Sequence, residues 1–528
     1  MMDVTPISCP PRTTKRLRAM GTAGACVLTA IATASACTAG TQQNASGGGT
    51  SSTLTMSIAN APTGLALATN CSSPLFSLTY ASLISIKPDG SYGPGLATSW
   101  QYSKNNTVFT MKIRPKVKFA DGTPLTAANV VQTLTYNKTH PGINQGYLKP
   151  FTSIEAPDES TVRITMQKPF NGMTTLLAND GECNNGLIIS KAGLAAPAKM
   201  GTQTFGAGAY KLDASATVAG DHYTLVKNPN YYDTSQQHWS RIVIKVIPNA
   251  NTALQAVKTG QIQVASTTDG TLLGAAKAGG LKITEGLQLG TGLMLWDRDG
   301  KLAPALKDQR VRQALNYAVD RPALAKVLGT TYEPFDQFVP AGVTGYDPSL
   351  DNKYSYNPAK AKSLLAAAGY PNGFRMTIGT DNTVANFTQA IVQQWAEIGV
   401  KVTVDTITNG TFLTKVAAKT YPAGSTAVAL LGDTYFDAAR LLAPPYNTAW
   451  DPFKATDPDI TKAYEALAAA PQDQITPLSQ ELNRVVTEKA WFVPVAHAPA
   501  YLFSKGVAGM GKTAIIGGFD YLSWKPAS

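Results

Sequence analysis

Charged residues and histidines are scarce in this chain. Only 15% of its 528 residues are Asp, Glu, Lys or Arg, and the four histidines show none of the HxxxH or HExxH spacings of preset metal sites. No Lys/Arg block is dense enough for a nucleic-acid surface. GxSxG, the nucleophile-elbow pattern, does not occur. We therefore expect no nucleic-acid partner, no preset metal site, no cofactor and no enzymatic activity.

Long apolar runs are missing beyond the N-terminus, because no later segment approaches the roughly 18 consecutive apolar residues of a membrane span. The hydrophobic content of 44% nevertheless supports a large core, and residues 53–528 are long enough for two or three domains. The formal net charge is +11. Residues 1–36 contribute +3, so +8 remains, which we interpret as a solvated surface, with attraction to anionic lipid headgroups as the alternative.

The N-terminus has the order of a lipoprotein signal peptide. An uncharged run, 19–36, follows a basic flank and ends in Ala34-Ser35-Ala36, directly before Cys37. The basic flank consists of Arg12, Lys15, Arg16 and Arg18. This order predicts export, cleavage of residues 1–36 and lipidation of Cys37, where two or more acyl chains would give stable anchoring. The alternative is an uncleaved signal anchor, which the length of the run allows.

Residues 37–52 are predicted to be a lipid-anchored flexible linker. After Cys37 the stretch reads TAGTQQNASGGGTSS, which has no apolar residue larger than alanine and cannot bury enough surface to fold. Such a linker reaches roughly 20 Å. A folded body would therefore lie just off the outer face of the cytoplasmic membrane, in the periplasm or the cell-wall space.

Five cysteines are few for a chain of this length. Cys9 and Cys26 would leave with the signal peptide and Cys37 would take lipid, so Cys71 and Cys183 remain. Two thiols in an oxidising compartment suggest one disulfide, with two buried thiols as the alternative.

Strand and helix patterns alternate along the body, which indicates an α/β protein. Alternating apolar residues in 109–113 predict a strand, and Thr126 caps a helical pattern after a turn. Asn357 as N-cap, with Pro358 behind it and Gly369 at the end, predicts a further helix.

Two more helices are predicted in the second half of the chain. One carries Ile391, Trp395 and Ile398, stops at Gly399 and leads into a strand with alternating valines, 400–404. The other runs between Asp308 and Arg321, with apolar residues at helical spacing.

Six segments, in order, resemble motifs of the family 5 extracellular solute-binding proteins, the peptide, nickel and oligopeptide receptors of ABC importers. They are LATSW (96–100), IRPKVKFADG (113–122), GAGAY (206–210), KNPNYY (227–232), DQRVRQALNYAVDR (308–321) and YNPAKAKSLLAAAGYPNGF (356–374). The resemblance implies a two-lobe periplasmic-binding-protein-like fold of the large class, with an extra subdomain in lobe I.

Carried onto this chain, the resemblance implies lobe I at 53–266, lobe II at 267–493 and a C-terminal return to lobe I at 494–528. The two crossings between lobes would lie near 264–269 and 493–497. Cys71 and Cys183 would both fall in lobe I, which fits the suggested disulfide.

The resemblance also implies a ligand-binding residue. In peptide receptors of the family, an aspartate on a lobe II segment reading roughly G-W-x-x-D-Y-x-D-P pairs with the α-ammonium group of the ligand. The matching stretch, LLGDTYFD (430–437), points to Asp433, with Asp437 as the fallback. The Trp and the Pro of the motif are missing and the two acids are four residues apart, so an ordinary turn or cap aspartate is the alternative.

Tyr435, Trp296 and Asn70 are further pocket candidates by family position, and packing or loop structure would explain each equally well. The stretch 382–394, which supplies an arginine for the ligand carboxylate in dipeptide-specific relatives, contains no arginine. A ligand with a fixed C-terminus is therefore less expected than a longer or differently charged one.

Together these observations predict a monomeric, lipid-anchored receptor that binds peptides between two closing lobes and delivers them to an ABC import permease. One alternative keeps the fold but changes the cargo to a nickel chelate, haem or an oligosaccharide stacked on Trp296 and Trp450. Another is a secreted hydrolase or surface adhesin that reuses the fold. The formal P-loop match in 506–513 lacks room for the helix it needs, because Gly517-Gly518 follows.

Overall fold

The computed structural model describes residues 52–62, 64–67, 73–87, 90–142, 145–178, 184–329, 331–429, 433–442, 450–511 and 519–527. These residues belong to one compact unit, Ser51–Ser528. The predicted signal peptide, the lipidation site Cys37, the pocket candidate Asn70 and the cysteines Cys71 and Cys183 lie outside the described residues.

Strands and helices alternate along the described chain. The strands are β1 (Thr53–Ile58), β2 (Ile84–Ile86), β3 (Tyr92–Pro94), β4 (Ala97–Ser103), β5 (Val108–Ile113), β6 (Phe151–Asp158), β7 (Thr161–Met166), β8 (Tyr210–Leu212), β9 (His222–Lys227), β10 (Arg241–Val246), β11 (Val264–Thr267), β12 (Lys282–Leu295), β13 (Glu333–Pro334), β14 (Arg375–Asp381), β15 (Lys401–Ile407), β16 (Ala423–Ala429), β17 (Phe492–Ser504), β18 (Val507–Ala508) and β19 (Lys525–Pro526). The α-helices are α1 (Pro74–Thr79), α2 (Ala127–Thr139), α3 (Gln145–Leu148), α4 (Met173–Leu176), α5 (Lys191–Ala195), α6 (Ala250–Lys258), α7 (Leu273–Ala278), α8 (Gln309–Tyr317), α9 (Arg321–Leu328), α10 (Pro358–Ala367), α11 (Ala385–Glu397), α12 (Asn409–Ala417), α13 (Thr434–Leu441), α14 (Pro458–Ala468) and α15 (Ile475–Lys489).

A large mixed sheet organises the fold. Its strands follow the order β15-β14-β16-β12-β17-β11-β1-β10-β9-β8, with β13 paired to β17. The long strands β12 and β17 run antiparallel from the pair Lys282↔Ser504 to the pair Met294↔Phe492. At one end β17 pairs with β11, and at the other β12 pairs with β16. These two strands therefore join the two halves of the sheet.

The strand order of this sheet can be compared with the predicted lobe boundaries. Strands β1, β10 and β11 of the predicted lobe I lie on one side of the β12–β17 pair, and β14, β15 and β16 of the predicted lobe II lie on the other. The residue limits of the two lobes stay a prediction.

A second, four-stranded antiparallel sheet, β4-β5-β7-β6, packs with α2 in the N-terminal part of the chain. Its buried residues, such as Phe109 and Ile164, share one apolar cluster with residues distant in sequence, such as Phe436 and Trp491. Two further clusters fill the cores around β14 with α8 and α11, and around β1 with β10. The predicted lobes therefore meet through a continuous apolar contact.

Several local predictions are confirmed. The strand predicted at 109–113 is β5, and Thr126 is the N-cap of α2. Asn357 caps α10 by accepting a hydrogen bond from the Lys360 N–H, and Gly369 follows with φ of 89°. Local capping chemistry was sufficient to locate these ends.

The helix predicted between Asp308 and Arg321 is shorter than expected. α8 begins behind the capping Asp308 but ends at Tyr317, and a new helix, α9, starts at Arg321. The side chain of Asp320 caps α9 by accepting from the Ala323 N–H. The apolar spacing continued across this break, so periodicity alone did not reveal it.

Candidate functional site

Asp433 stands at the start of α13, where its carboxylate caps the helix. Its Oδ1 accepts hydrogen bonds from the backbone N–H groups of Tyr435 (3.0 Å) and Phe436 (3.3 Å). Capping of this kind satisfies amides that have no partner within the helix. Asp433 is therefore a helix-cap residue, which was the alternative interpretation of the sequence, and capping uses only one of its two carboxylate oxygens.

The second oxygen of Asp433 faces the predicted lobe I. Thr175 Oγ1, in α4, donates to Asp433 Oδ2 at 2.5 Å. The Tyr92 hydroxyl lies 2.6 Å from Thr175 Oγ1 and must be the donor there, because the single hydroxyl hydrogen of Thr175 goes to Asp433. A relay of two hydroxyl groups thus ends on the carboxylate across the lobes.

The tyrosine Tyr102 supports this relay from behind. Its hydroxyl donates to the carbonyl oxygen of Asn171 (3.0 Å) and accepts from the N–H of Met173 (3.0 Å) at the start of α4. These contacts hold the short helix that carries Thr175.

Burial dominates the electrostatics of the cluster. It raises the pKa of the Asp433 carboxyl, and the hydrogen bond from Thr175 opposes this shift. Burial, followed by the nearby charge of Asp433, also raises the pKa of Tyr92 far above its usual range. A carboxylate in such surroundings has a strong demand for a cationic or hydrogen-bonding partner.

Tyr435 and Trp296 are both buried in the apolar cluster. The Tyr435 ring stacks on Tyr464 with centroids 5.0 Å apart, and the Tyr464 hydroxyl donates to the Tyr435 hydroxyl at 2.8 Å. Trp296 packs closely over Gly424, where a Cβ would lie 2.5 Å from the indole ring. Within the described part of the chain, the buried Trp296 Nε1 has no hydrogen-bond partner.

Asp437 lies one turn further along α13 and lines a cavity of its own. The cavity has an empty volume of about 620 Å³, which includes open solvent. Its walls are mainly apolar, with residues such as Leu293, Phe335, Val339 and Phe492. The structure therefore separates the two candidate acids, because Asp433 faces lobe I while Asp437 faces this cavity.

A larger cavity, with an empty volume of about 1260 Å³, lies between residues of the two predicted lobes. Asn105, Lys168 and Pro169 contribute from one side, and Tyr464 and Trp491 from the other. Tyr464 therefore lines this space, and its hydroxyl donates to that of Tyr435, whose backbone N–H donates to Asp433.

A buried ion pair lies at the lobe II end of the long strands. Arg298 Nη2 and Asp451 Oδ2 are 2.6 Å apart, and both side chains are almost completely buried. The Arg298 guanidinium also stacks over Trp491, 3.7 Å from the ring centroid. No sequence pattern pointed to Arg298, Asp451 or Thr175, because their partners are distant in the chain.

Within the described ranges, no group of three or more His, Cys, Asp or Glu side chains is arranged to hold a metal ion. In the same ranges, no helix combines the length and apolar character needed to cross a membrane.

Comparison with known proteins decides the family. The sequence matches the bacterial extracellular solute-binding proteins, family 5, over residues 91–453, which is more than half of the chain. The chain belongs to this family. Family 5 proteins are extracytoplasmic receptors that bind solutes and deliver them to ABC import permeases, and they are not enzymes.

Individual relatives show the range of the family. The glutathione-binding protein GsiB of Escherichia coli K12 is 28% identical over 442 residues, covering 78% of this chain and 82% of GsiB. DppA from Helicobacter pylori in complex with the peptide STSA superposes with a TM-score of 0.77 at 20% identity, covering 90% of this chain and 98% of DppA.

A third relative carries a different kind of solute. NikZ from Campylobacter jejuni in complex with Ni(L-His) superposes with a TM-score of 0.73 at 21% identity, covering 90% of this chain and all of NikZ. These likenesses confirm the predicted two-lobe α/β fold of family 5.

Proposed function

We propose that this family 5 receptor binds peptides and that Asp433 holds the ligand's α-ammonium group between the lobes. The observation that supports the proposal is that the two oxygens of the Asp433 carboxylate have different partners. Oδ1 accepts from the amides of α13, whereas Oδ2 accepts from Thr175 of the predicted lobe I and has a second lone pair for a donor on a ligand between the lobes. A charge-assisted hydrogen bond to an ammonium group would relieve the unfavourable burial of this charge.

Tyr435, Trp296 and Asn70 are the further pocket residues of this proposal, and Asp437 is the fallback anchor. The stacked pair of Tyr435 and Tyr464 supports the backbone next to Asp433. Main-chain hydrogen bonds would hold the peptide backbone, so selectivity for side chains could be broad.

The test compares tetra-alanine with its N-acetylated form by isothermal calorimetry. We expect the free amine to bind wild-type protein, and both acetylation and Asp433→Asn to weaken binding about 10- to 100-fold. Asparagine keeps the helix cap, so the substitution removes mainly the charge. Asp320→Asn, at the cap of α9, is the matched control and should leave the affinity unchanged.

Two results would contradict the peptide assignment. Equal binding of the acetylated peptide would exclude the amine anchor. Native mass spectrometry of residues 53–528 purified from the host, showing a single metal chelate, haem or sugar, would replace the peptide by that solute and leave the receptor role intact.

We further propose that the receptor is a monomer anchored to the cytoplasmic membrane by lipid on Cys37. The basic flank, the uncharged run and the small-residue site before Cys37 support this anchor. Metabolic labelling with an alkyne fatty acid should mark the wild-type protein and not a Cys37→Ser variant. Labelling of the variant, or none of either protein, would overturn the anchor.

A disulfide between Cys71 and Cys183 belongs to the same proposal, since both thiols would meet an oxidising compartment. Intact mass after alkylation without reductant should show no modified cysteine in residues 53–528. Two alkylated cysteines would show free thiols instead.

A further inference from the structure

The turn between β4 and β5 has an unusual backbone. Lys104, Asn105 and Asn106 follow one another with φ of 51°, 54° and 57°. Residues other than glycine rarely enter this left-handed region, and three in succession are rarer still, although asparagine tolerates it better than most. A conformation of this kind persists where the surrounding structure requires it.

The turn places the side chain of Asn106 against the end of α14. Its Nδ2 donates to the carbonyl oxygens of Ala468 and Ala470, each at 3.1 Å. Ala468 is the last residue of α14, where helix geometry leaves the carbonyl groups without partners in the helix, and Ala470 lies two residues beyond it. The amide therefore closes a helix end that belongs to the predicted lobe II, more than 360 residues away in the chain.

A second segment of lobe I continues this contact. The Asn106 carbonyl oxygen accepts from the Phe170 N–H at 3.0 Å. The Phe170 ring packs edge-on against Tyr435 at 5.4 Å between centroids, and Thr175 ends the line on Asp433. Asn106, Phe170 and Thr175 form a clasp, which runs from the end of α14 to the start of α13.

An ion pair borders the clasp but adds little to it. Lys168 Nζ and Glu465 Oε1 are 3.2 Å apart, and more than half of each side chain is exposed. Exposed pairs of this kind contribute little because water and salt screen them. Within the clasp, the directional contacts of Asn106 and Thr175 are therefore more important than this ion pair.

We propose that the clasp latches the lobes in the closed state and that Asn106 is its main positioning residue. Asn106 contacts no proposed ligand group and acts by holding α14, whose Tyr464 supports Tyr435 beside Asp433. Measuring ligand dissociation to test this proposal rests on the proposed binding of an amine at Asp433. Measuring lobe closure in the ligand-free protein does not.

The test compares Asn106→Gly with Lys104→Gly. Both variants place a glycine at a positive φ in the same turn, but only the first removes the hydrogen bonds to α14. With tetra-alanine in stopped-flow binding, we expect Asn106→Gly to raise the dissociation rate about tenfold with little change in the association rate. Lys104→Gly should match the wild type.

Small-angle X-ray scattering of the ligand-free protein gives a readout that needs no ligand. A larger radius of gyration for Asn106→Gly than for Lys104→Gly supports the latch, and equal scattering together with equal dissociation rates overturns it. If tetra-alanine binds neither wild type nor variants, the peptide proposal fails and scattering alone decides the latch.

Discussion

Besides their apolar contact, the lobes of this receptor meet through the long strands β12 and β17 and through the clasp. The strands form a continuous ladder of backbone hydrogen bonds, interrupted by register shifts at Glu285/Gln288 and Thr291/Gly292. The clasp depends on a few side chains, chiefly Asn106, Phe170 and Thr175.

We therefore expect the strands to bend without separating, whereas the contacts of the clasp can open. A ladder of many backbone bonds breaks only when the fold unfolds, but its irregularities allow local bending. Side-chain contacts of roughly 1 kcal/mol each can form and break within the native state. Substitutions in the strands should therefore change stability, and substitutions in the clasp should change ligand retention.

The largest expected effect is on the strand side, at Arg298. This residue bonds the carbonyl of Leu295 at the end of β12, pairs with Asp451 and stacks on Trp491, which precedes β17. Arg298→Met leaves the buried Asp451 charge without this partner, so we expect a loss of about 3–5 kcal/mol in the free energy of unfolding by urea. Lys301→Met removes an exposed pair with Asp299 and should cost less than about 0.5 kcal/mol. Similar losses for both variants would refute the proposal that Arg298 stabilises the ends of β12 and β17.

The next effect concerns the clasp, at Gly172. A Cβ at this position would lie 2.8 Å from the Phe436 ring and 3.1 Å from Phe170. We expect Gly172→Val to weaken ligand binding about tenfold by forcing the lobes apart, with little change in the melting temperature of the ligand-free protein. Gly201→Val has nothing within 4 Å of its Cβ and serves as control. A large fall in melting temperature for Gly172→Val would assign the glycine to the core instead.

The affinity for tetra-alanine should depend on pH through Asp433. Burial raises the pKa of this carboxyl, so it takes up a proton at a higher pH than the usual value near 3.9 as the pH falls. Protonation removes the charge that holds the ammonium group, so affinity should fall with decreasing pH, by at most about tenfold per pH unit. The same raised pKa favours the protonated folded protein, so this group's contribution to stability is lost as pH rises. Calorimetry from pH 7 to 4 should give a flatter profile for Asp433→Asn, and parallel profiles would disprove the link.

The smallest expected effect is at His497, in the middle of the strand pair. His497 pairs with Gly290 of β12 and Glu333 of β13, and burial lowers its pKa while Glu333 opposes the shift. As the pH falls below about 6.5, the unfolded chain takes up this proton before the folded one, so stability should decrease. His497→Gln should reduce the slope of melting temperature between pH 7 and 5, whereas His140→Gln, at an exposed site, should not. An unchanged slope for His497→Gln would argue against this titration.

Local rules located several elements correctly because their signals lie within a few residues. The ends of α10 follow from Asn357, Pro358 and Gly369, whose backbone preferences act at short range. The break between α8 and α9 escaped prediction because the apolar spacing continues across it, while the cap at Asp320 ends the helix.

In the proposed site, too, one residue could be predicted from the sequence and others could not. Asp433 could be singled out from the sequence because the surrounding stretch resembles a family motif. Thr175 and Asn106 could not, since their partners lie 258 and 362 residues away and no short pattern encodes those contacts.

The sequence by itself determined the α/β class, the family and the position of the candidate acid, because these depend on local propensity and on motifs read in order. Only the tertiary structure decided which oxygen of Asp433 caps α13 and which faces lobe I, and which residues clasp the lobes together. Those assignments depend on the distances between segments far apart in the chain, which folding alone brings within hydrogen-bonding range.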